Sequence, residues 1–234
     1  MTETECLACT DLVPLLEALP DKARERKLRL FACACVRSVW YLLEDERSRQ
    51  AVVVAERFAD GQAAEAVAVG LAALEASRRS ALDVSQALAA SAATATLRAF
   101  VTGDEVASGY LAARMAARRA AHALSTGRGV VDRTGGWDPA EREMIPFLRD
   151  VLGNPFRPAT VTPAWRVPQV VALAQAAYEE RELPAGSLGA ARLAVLADAL
   201  EEAGCADQTA LDHLRGPGPH VRGCWVVDLL LGKE

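Results

Sequence analysis

Leu28-Arg-Leu-Phe-Ala-Cys-Ala-Cys-Val-Arg-Ser-Val-Trp-Tyr-Leu-Leu43 is the stretch that decides the fold. Leu28, Phe31, Ala32, Cys35, Val39 and Leu42 recur at steps of three and four, the period of one face of an α-helix. Leu30, Cys33, Trp40 and Leu43 make a second stripe beside the first. The spacing predicts a helix over Lys22–Leu43, buried on a wide arc, with Arg24, Arg26, Lys27 and Arg29 on its solvent face.

Upstream, Thr2 and Glu5 make a capping box for a helix over Glu3–Cys9, because hydroxyl and carboxylate each satisfy a free backbone N–H. Asp11 can cap a helix to Leu19, with Pro14 tolerated in the first turn, and Asp45 one to Ala59 that stops at Gly61. Downstream, Ala87–Thr96 holds six alanines in ten residues, the best helix former, so residues 62–101 read as helical hairpins. Further helices are expected over Asp104–Leu124, Pro168–Arg181, Leu188–Ala203 and Asp207–Leu214, and from Asp138 to Leu152 with a kink at Pro146. No stretch alternates β-branched residues at a period of two. The chain therefore reads as all-α, an irregular bundle of about eight to eleven helices with an Ala-rich central region. Three parts are expected: residues 1–61, an Ala-rich insert over 62–137 that ends in a Gly-rich loop, and 138–234, with the first and last sharing one core.

Composition narrows the function classes. The 234 residues are 51% hydrophobic but only 5% aromatic, so the core is broad and thin in bulky side chains. A net charge of −5 argues against nucleic-acid binding through the whole surface. Arg114, Arg118, Arg119, Arg128 and Arg133 form one local basic patch with only Asp132 nearby, which keeps nucleic acid as an alternative partner. The acidic start Met1-Thr-Glu-Thr-Glu lacks a secretory pattern, and no apolar run approaches the ~20 residues of a membrane span, so a cytoplasmic protein is expected. Six cysteines at this length fit reduced, buried thiols better than a disulfide scaffold.

Chemistry-bearing residues are scattered. Cys6-Leu-Ala-Cys9 has the spacing of a metal or redox pair but no strand before it. Cys33 and Cys35 lie roughly 200° apart on a helix, so only one of them could join Cys6 and Cys9 around an ion, with His220 or Cys224 as fourth ligand. The metal candidates are thus Cys6, Cys9, Cys35 and Cys224. A Cys–His nucleophile would pair Cys224 with His213 or His220, but the sequence names no orienting Asp or Asn. His122 reads as a surface residue, and Glu179-Glu180 and Glu201-Glu202 as solvated faces. The glycines of Ser125–Trp137 follow a helix and lack Gly-Lys-Ser/Thr, so they read as a loop and no cofactor is expected. The closing run Gly218-Pro-His-Val-Arg-Gly-Cys-Trp-Val-Val-Asp228 reads as a final helix begun by Pro219 and ended by Gly232. Its His220, Arg222 and Trp225 are candidates for contacting a protein partner, and Asp228, if buried, needs a donor.

Four stretches carry a resemblance: Arg26-Lys-Leu-Arg-Leu-Phe-Ala-Cys-Ala-Cys35 within Asp21–Trp40, Leu148-Arg-Asp-Val-Leu-Gly-Asn-Pro-Phe-Arg-Pro158, Leu196-Ala-Asp-Ala-Leu-Glu-Glu-Ala-Gly-Cys205, and His220–Gly232. They resemble a family of uncharacterised planctomycete paralogous proteins. Arg192–Gly204 is also similar to the repeat-companion domain that accompanies leucine-rich repeats in those bacteria. The resemblance implies a common scaffold with a variable insert and brings no catalytic residue. The expectation is a non-enzymatic helical interaction or scaffold module, with a metal-binding or Cys/His-dependent enzyme as the alternative.

Overall fold

A computed structural model describes residues 1–18, 25–62, 66–79, 84–97, 108–128, 139–157, 159–160 and 162–233. The protein is all-α: among the described residues there are twelve α-helices and no sheet. They divide into two compact units, Met1–Ile145 and Pro146–Glu234.

The first unit contains α1 (Glu3–Ala8), α2 (Leu12–Glu17), α3 (Glu25–Arg37), α4 (Glu46–Ala59), α5 (Ala66–Arg79), α6 (Val84–Thr96) and α7 (Ser108–Gly127). The Thr2 capping box and the Asp11 and Asp45 caps form as their side chains dictate. The central α3 packs on α4, α6 and α7, and α6 on α7. That last seam is alanine on both sides: Ala89, Ala92 and Ala93 on α6, and Ala113, Ala116, Ala117 and Ala120 on α7, are fully buried. Side chains this small let helix backbones approach closely, but each removes little apolar area from water.

Two expectations for α3 change. The helix ends at Arg37 and a single 3-10 turn, Trp40–Leu42, follows; the Ser38 hydroxyl donates to the Cys35 carbonyl at 2.7 Å where the ladder stops. Arg29, expected in solvent, is 1% exposed. It is accommodated by its partners: Glu25, the Thr96 carbonyl at 3.1 Å, and the face of Phe58 at 5.1 Å. Periodicity placed it on the solvent face; its partners in the fold let the guanidinium leave water. Arg37 is buried likewise, in a two-point pair with Glu56 (2.5 and 2.8 Å) under the ring of Trp40.

The second unit holds α8 (Ile145–Leu152), α9 (Pro168–Glu179), α10 (Ala190–Glu202), α11 (Gln208–Arg215) and α12 (Trp225–Leu231). Pro146 was expected to kink a helix running from Asp138; instead a 3-10 segment, Pro139–Met144, precedes α8 and Pro146 sits in its first turn, because proline has no N–H for the α-helical ladder. The closing run is also corrected. Pro219 does not begin a helix: Gly216–Gly223 is irregular, the Gly218–Pro219 peptide is cis, and α12 starts only at Trp225. Gly218 has φ +81°, and a Cβ there would lie 2.8 Å from the His220 backbone nitrogen, so only glycine fits. Gly232 does end the helix in the left-handed conformation, as expected. Val170, Ala174, Tyr178, Leu193, Leu196, Leu200, Leu211, Leu214, Val226 and Leu230 fill the core.

Candidate metal centre

In sequence Asp150 lies 63 residues before His213 and 70 before His220, with Cys224 beyond them; the second unit brings the four together. Asp150 projects from α8, whose Leu148 and Val151 are buried in the same turns. His213 stands in the last turn of α11, which Asp207 starts by accepting from the Thr209 and Ala210 N–H groups. His220 lies in the Gly-Pro-rich loop, whose backbone is pinned where Leu188 N–H donates to the His220 carbonyl at 2.8 Å. Cys224 is the residue just before α12.

Three contacts meet at one point. Asp150 Oδ1 lies 3.0 Å from His213 Nε2 and 3.1 Å from His220 Nδ1, and His213 Nε2 also lies 3.3 Å from Cys224 Sγ. The other carboxylate oxygen, Oδ2, accepts from the Val221 N–H at 2.8 Å. All four potential ligand atoms lie within 4.8 Å of one another, the one such group of three or more among the described residues. Asp150, His220 and Cys224 are buried and His213 is partly exposed, its ring edge-on to that of His220 and 5.3 Å from that of Trp225. Gly153 closes α8 at φ +67°; a Cβ there would come within 3.0 Å of the Trp225 ring, so this glycine lets tryptophan lie against the end of α8.

Electrostatics follow from burial. Burial pushes the Asp150 carboxyl up, but hydrogen bonds from His213, His220 and the Val221 N–H outweigh it and hold the carboxyl below its ordinary value. Burial pushes His220 down, yet its bond to Asp150 and that carboxylate's charge bring it above the usual imidazole value. Burial, then the Asp150 charge, drive the Cys224 thiol well up, against the helix N–H groups of Val227 and Val226.

Proton positions are constrained. His220 Nε2 faces the Gly216 carbonyl at 3.2 Å, and a carbonyl only accepts, so that nitrogen carries a proton. In the neutral ring, Nδ1 then presents a lone pair to the Asp150 carboxylate. That contact is favourable only with something positive in it: a second proton on His220, or a cation between the two atoms. A carbonyl on the outer nitrogen of a histidine is also how metal-ligating imidazoles are oriented. His213 meets both the carboxylate and the thiol through the same nitrogen, whereas a Cys–His–Asp relay needs one partner on each.

Of the cysteines singled out from spacing, only Cys224 joins this group. Cys6 and Cys9 are partly exposed on and just after α1, Cys33 and Cys35 are buried in α3, and all four belong to the first unit. Of the proposed partner-contact residues, His220 is inside the cluster, Trp225 is half-buried beside it, and Arg222 lies over the Tyr178 ring at 4.7 Å. Asp228 is buried. Asp150 was missed, because one acid in a short helix carries no periodic signal. In the basic patch, Arg114 and Arg118 are exposed, Arg119 donates to the Ser91 carbonyl and Arg128 pairs with Glu143; Arg133 and the glycines from 129 to 137 lie outside the described residues.

Protein-family models, curated proteins and solved structures provide no match to the chain. No described helix is long and apolar enough to cross a membrane.

Proposed function

We propose that the C-terminal unit is a zinc-binding module with Asp150, His213, His220 and Cys224 as its ligands. The observation that carries the reading is the convergence of one carboxylate oxygen, two imidazole nitrogens and one sulfur within 4.8 Å. Zinc bonds of about 2.0–2.3 Å in a tetrahedron put ligand atoms roughly 3.3–3.7 Å apart. The observed 3.0 and 3.1 Å are a few tenths short of that range, 3.3 Å is at its lower edge, and the whole group spans 4.8 Å, so the ligands would shift by up to about 1 Å to take the ion. The donor set argues for zinc over harder cations, since magnesium and calcium select oxygen. Charge balances too: carboxylate, thiolate, two neutral imidazoles and a divalent ion sum to zero, which suits a buried place.

Four protein ligands drawn from α8, α11, the loop and the start of α12 would tie together a unit of modest size, which supports the scaffold reading over a nucleophilic one. The planctomycete resemblance adds no residue to this assignment. Elemental analysis of the purified chain tests it. About one zinc per chain is expected, lost in Cys224→Ser and His220→Ala, with chelation lowering Tm. A wild-type chain that carries no zinc, and whose Tm does not rise when zinc is added, sinks the reading and leaves a hydrogen-bonded His220–Asp150 ion pair.

A further inference from the structure

The six cysteines divide by exposure. Cys33, Cys35, Cys205 and Cys224 are buried, whereas Cys6 and Cys9 are partly exposed. The two that solvent reaches are also neighbours in space. Cys6 is in α1, Cys9 is the residue that ends it, and the Cys9 N–H donates to the Cys6 carbonyl at 3.3 Å. A turn closed in this way holds its first and fourth α-carbons within about 7 Å, and a disulfide joins α-carbons about 4.4–6.8 Å apart. Positions three apart also share one face of a helix.

The setting leaves the pair room to adjust. No residue of α1 is buried, and Leu7, between the two cysteines, is 56% exposed. Cys9 has already left the helix, at φ −67° and ψ 129°. Drawing its sulfur toward Cys6 therefore turns one residue beyond the helix and disturbs no buried side chain of α1. What is given up is the hydrogen bond from the Cys9 thiol to the Asp11 carbonyl at 3.4 Å, a weak one because a thiol is a poor donor. The other closely spaced pair has neither property: Cys33 and Cys35 are buried and point to opposite sides of α3.

We propose that Cys6 and Cys9 form a reversible dithiol–disulfide site whose reaction partner is a small-molecule disulfide, R–S–S–R. One cysteine, as thiolate, attacks a sulfur of the small disulfide; a protein–S–S–R bond forms and one RS⁻ leaves. The second cysteine, as thiolate, attacks the protein sulfur of that bond, and the second RS⁻ leaves. The protein dithiol loses two electrons and two protons, which the two released R–SH molecules carry away. The site belongs to the first unit and is independent of the metal reading above.

The full-length chain is incubated with glutathione disulfide, quenched in acid, digested with trypsin and analysed by mass spectrometry. The tryptic peptide of residues 1–22 contains Cys6 and Cys9 and no other cysteine. The expected result is loss of two hydrogen atoms from that peptide, in roughly tenfold excess over its glutathione adduct, because the second thiol acts at a local concentration in the millimolar range or above. Dithiothreitol restores the starting mass. Cys6→Ser and Cys9→Ser each stop at the glutathione adduct, with far-ultraviolet circular dichroism unchanged because α1 carries no buried residue. Cys224→Ser closes the disulfide as the wild type does.

A wild-type peptide that stays reduced, or that accumulates the adduct without closing, overturns the site. So does a disulfide from Cys6 or Cys9 to any of the four buried cysteines. Zinc that is lost from Cys6→Ser but kept by Cys224→Ser overturns it in favour of a metal pair.

Discussion

The two units bury polar groups in opposite ways. In the first, Arg37 and Glu56 are both nearly inaccessible and meet at two points, so that one guanidinium charge faces one carboxylate charge. In the second, Asp150 meets two imidazoles and a backbone N–H, and the Cys224 thiol lies against the same His213 nitrogen that faces the carboxylate. A buried pair that balances itself is a device of packing. The buried cluster can close its balance with a second proton on His220 or, on the reading proposed above, with a cation.

That contrast is open to attack by substitution. Asp150→Ala is expected to have the largest effect, because it removes the shared acceptor and leaves the Val221 N–H and the His220 ring unpaired in a buried site. A loss of roughly 3–5 kcal/mol in denaturant unfolding of the full-length chain is expected, together with loss of bound metal. Glu56→Ala should cost nearly as much, about 3–4 kcal/mol, by stranding Arg37, but with metal content unchanged. If both variants lose metal, or neither does, the distinction between the units fails. Gly153→Ala comes next, at about 1–3 kcal/mol, since it forces a Cβ against Trp225 at a left-handed backbone position; reduced metal affinity with an unchanged first unit would show that Trp225 and α8 position the cluster.

The smallest effect is a dependence on pH in the metal-free protein. Asp150 is held below its ordinary value, so its contribution is present above the carboxylate range and lost as pH falls through its folded value. His220 is held above its ordinary value, so its contribution is complete below the usual imidazole value and lost as pH rises through its folded value. Stability of the metal-free chain should therefore decline on both sides of a window between those two titrations. Zinc should remove the alkaline decline, because the ion replaces the proton on His220 Nδ1. Unfolding midpoints measured across pH with and without zinc check this, and an alkaline decline that zinc leaves intact contradicts it.

Much of the architecture was legible before the structure. The caps at Thr2, Asp11, Asp45 and Asp207, and the stop at Gly232 are local: each needs only neighbours a few residues away, and each formed as expected, whereas the α3 period held only as far as Arg37. The cluster was legible only in part. His213, His220 and Cys224 lie within twelve positions of one another, close enough to be paired as a possibility, yet the final helix expected to start at Pro219 and carry His220 starts only at Trp225, and His220 is in a loop. Asp150 lies 63 residues from His213 and 70 from His220, and nothing in a short helix reports which distant group its single acid will meet. The Cys6-Leu-Ala-Cys9 spacing pointed the other way, toward α1, where the described residues hold no converging set of ligands.

By itself, then, the sequence determined that this protein is helical, where most helices begin and end, and that its central region is Ala-rich helix, because period, caps and propensity act over three or four residues. Only the tertiary structure decided that Arg29 and Arg37 are buried, that the Gly-Pro loop is irregular, and that an acid from α8 meets two histidines and a thiol from the chain's end. Those outcomes depend on which surfaces come together. A carboxylate or guanidinium has the same local signature in water as in a core, and only its distant partners determine whether it can leave water.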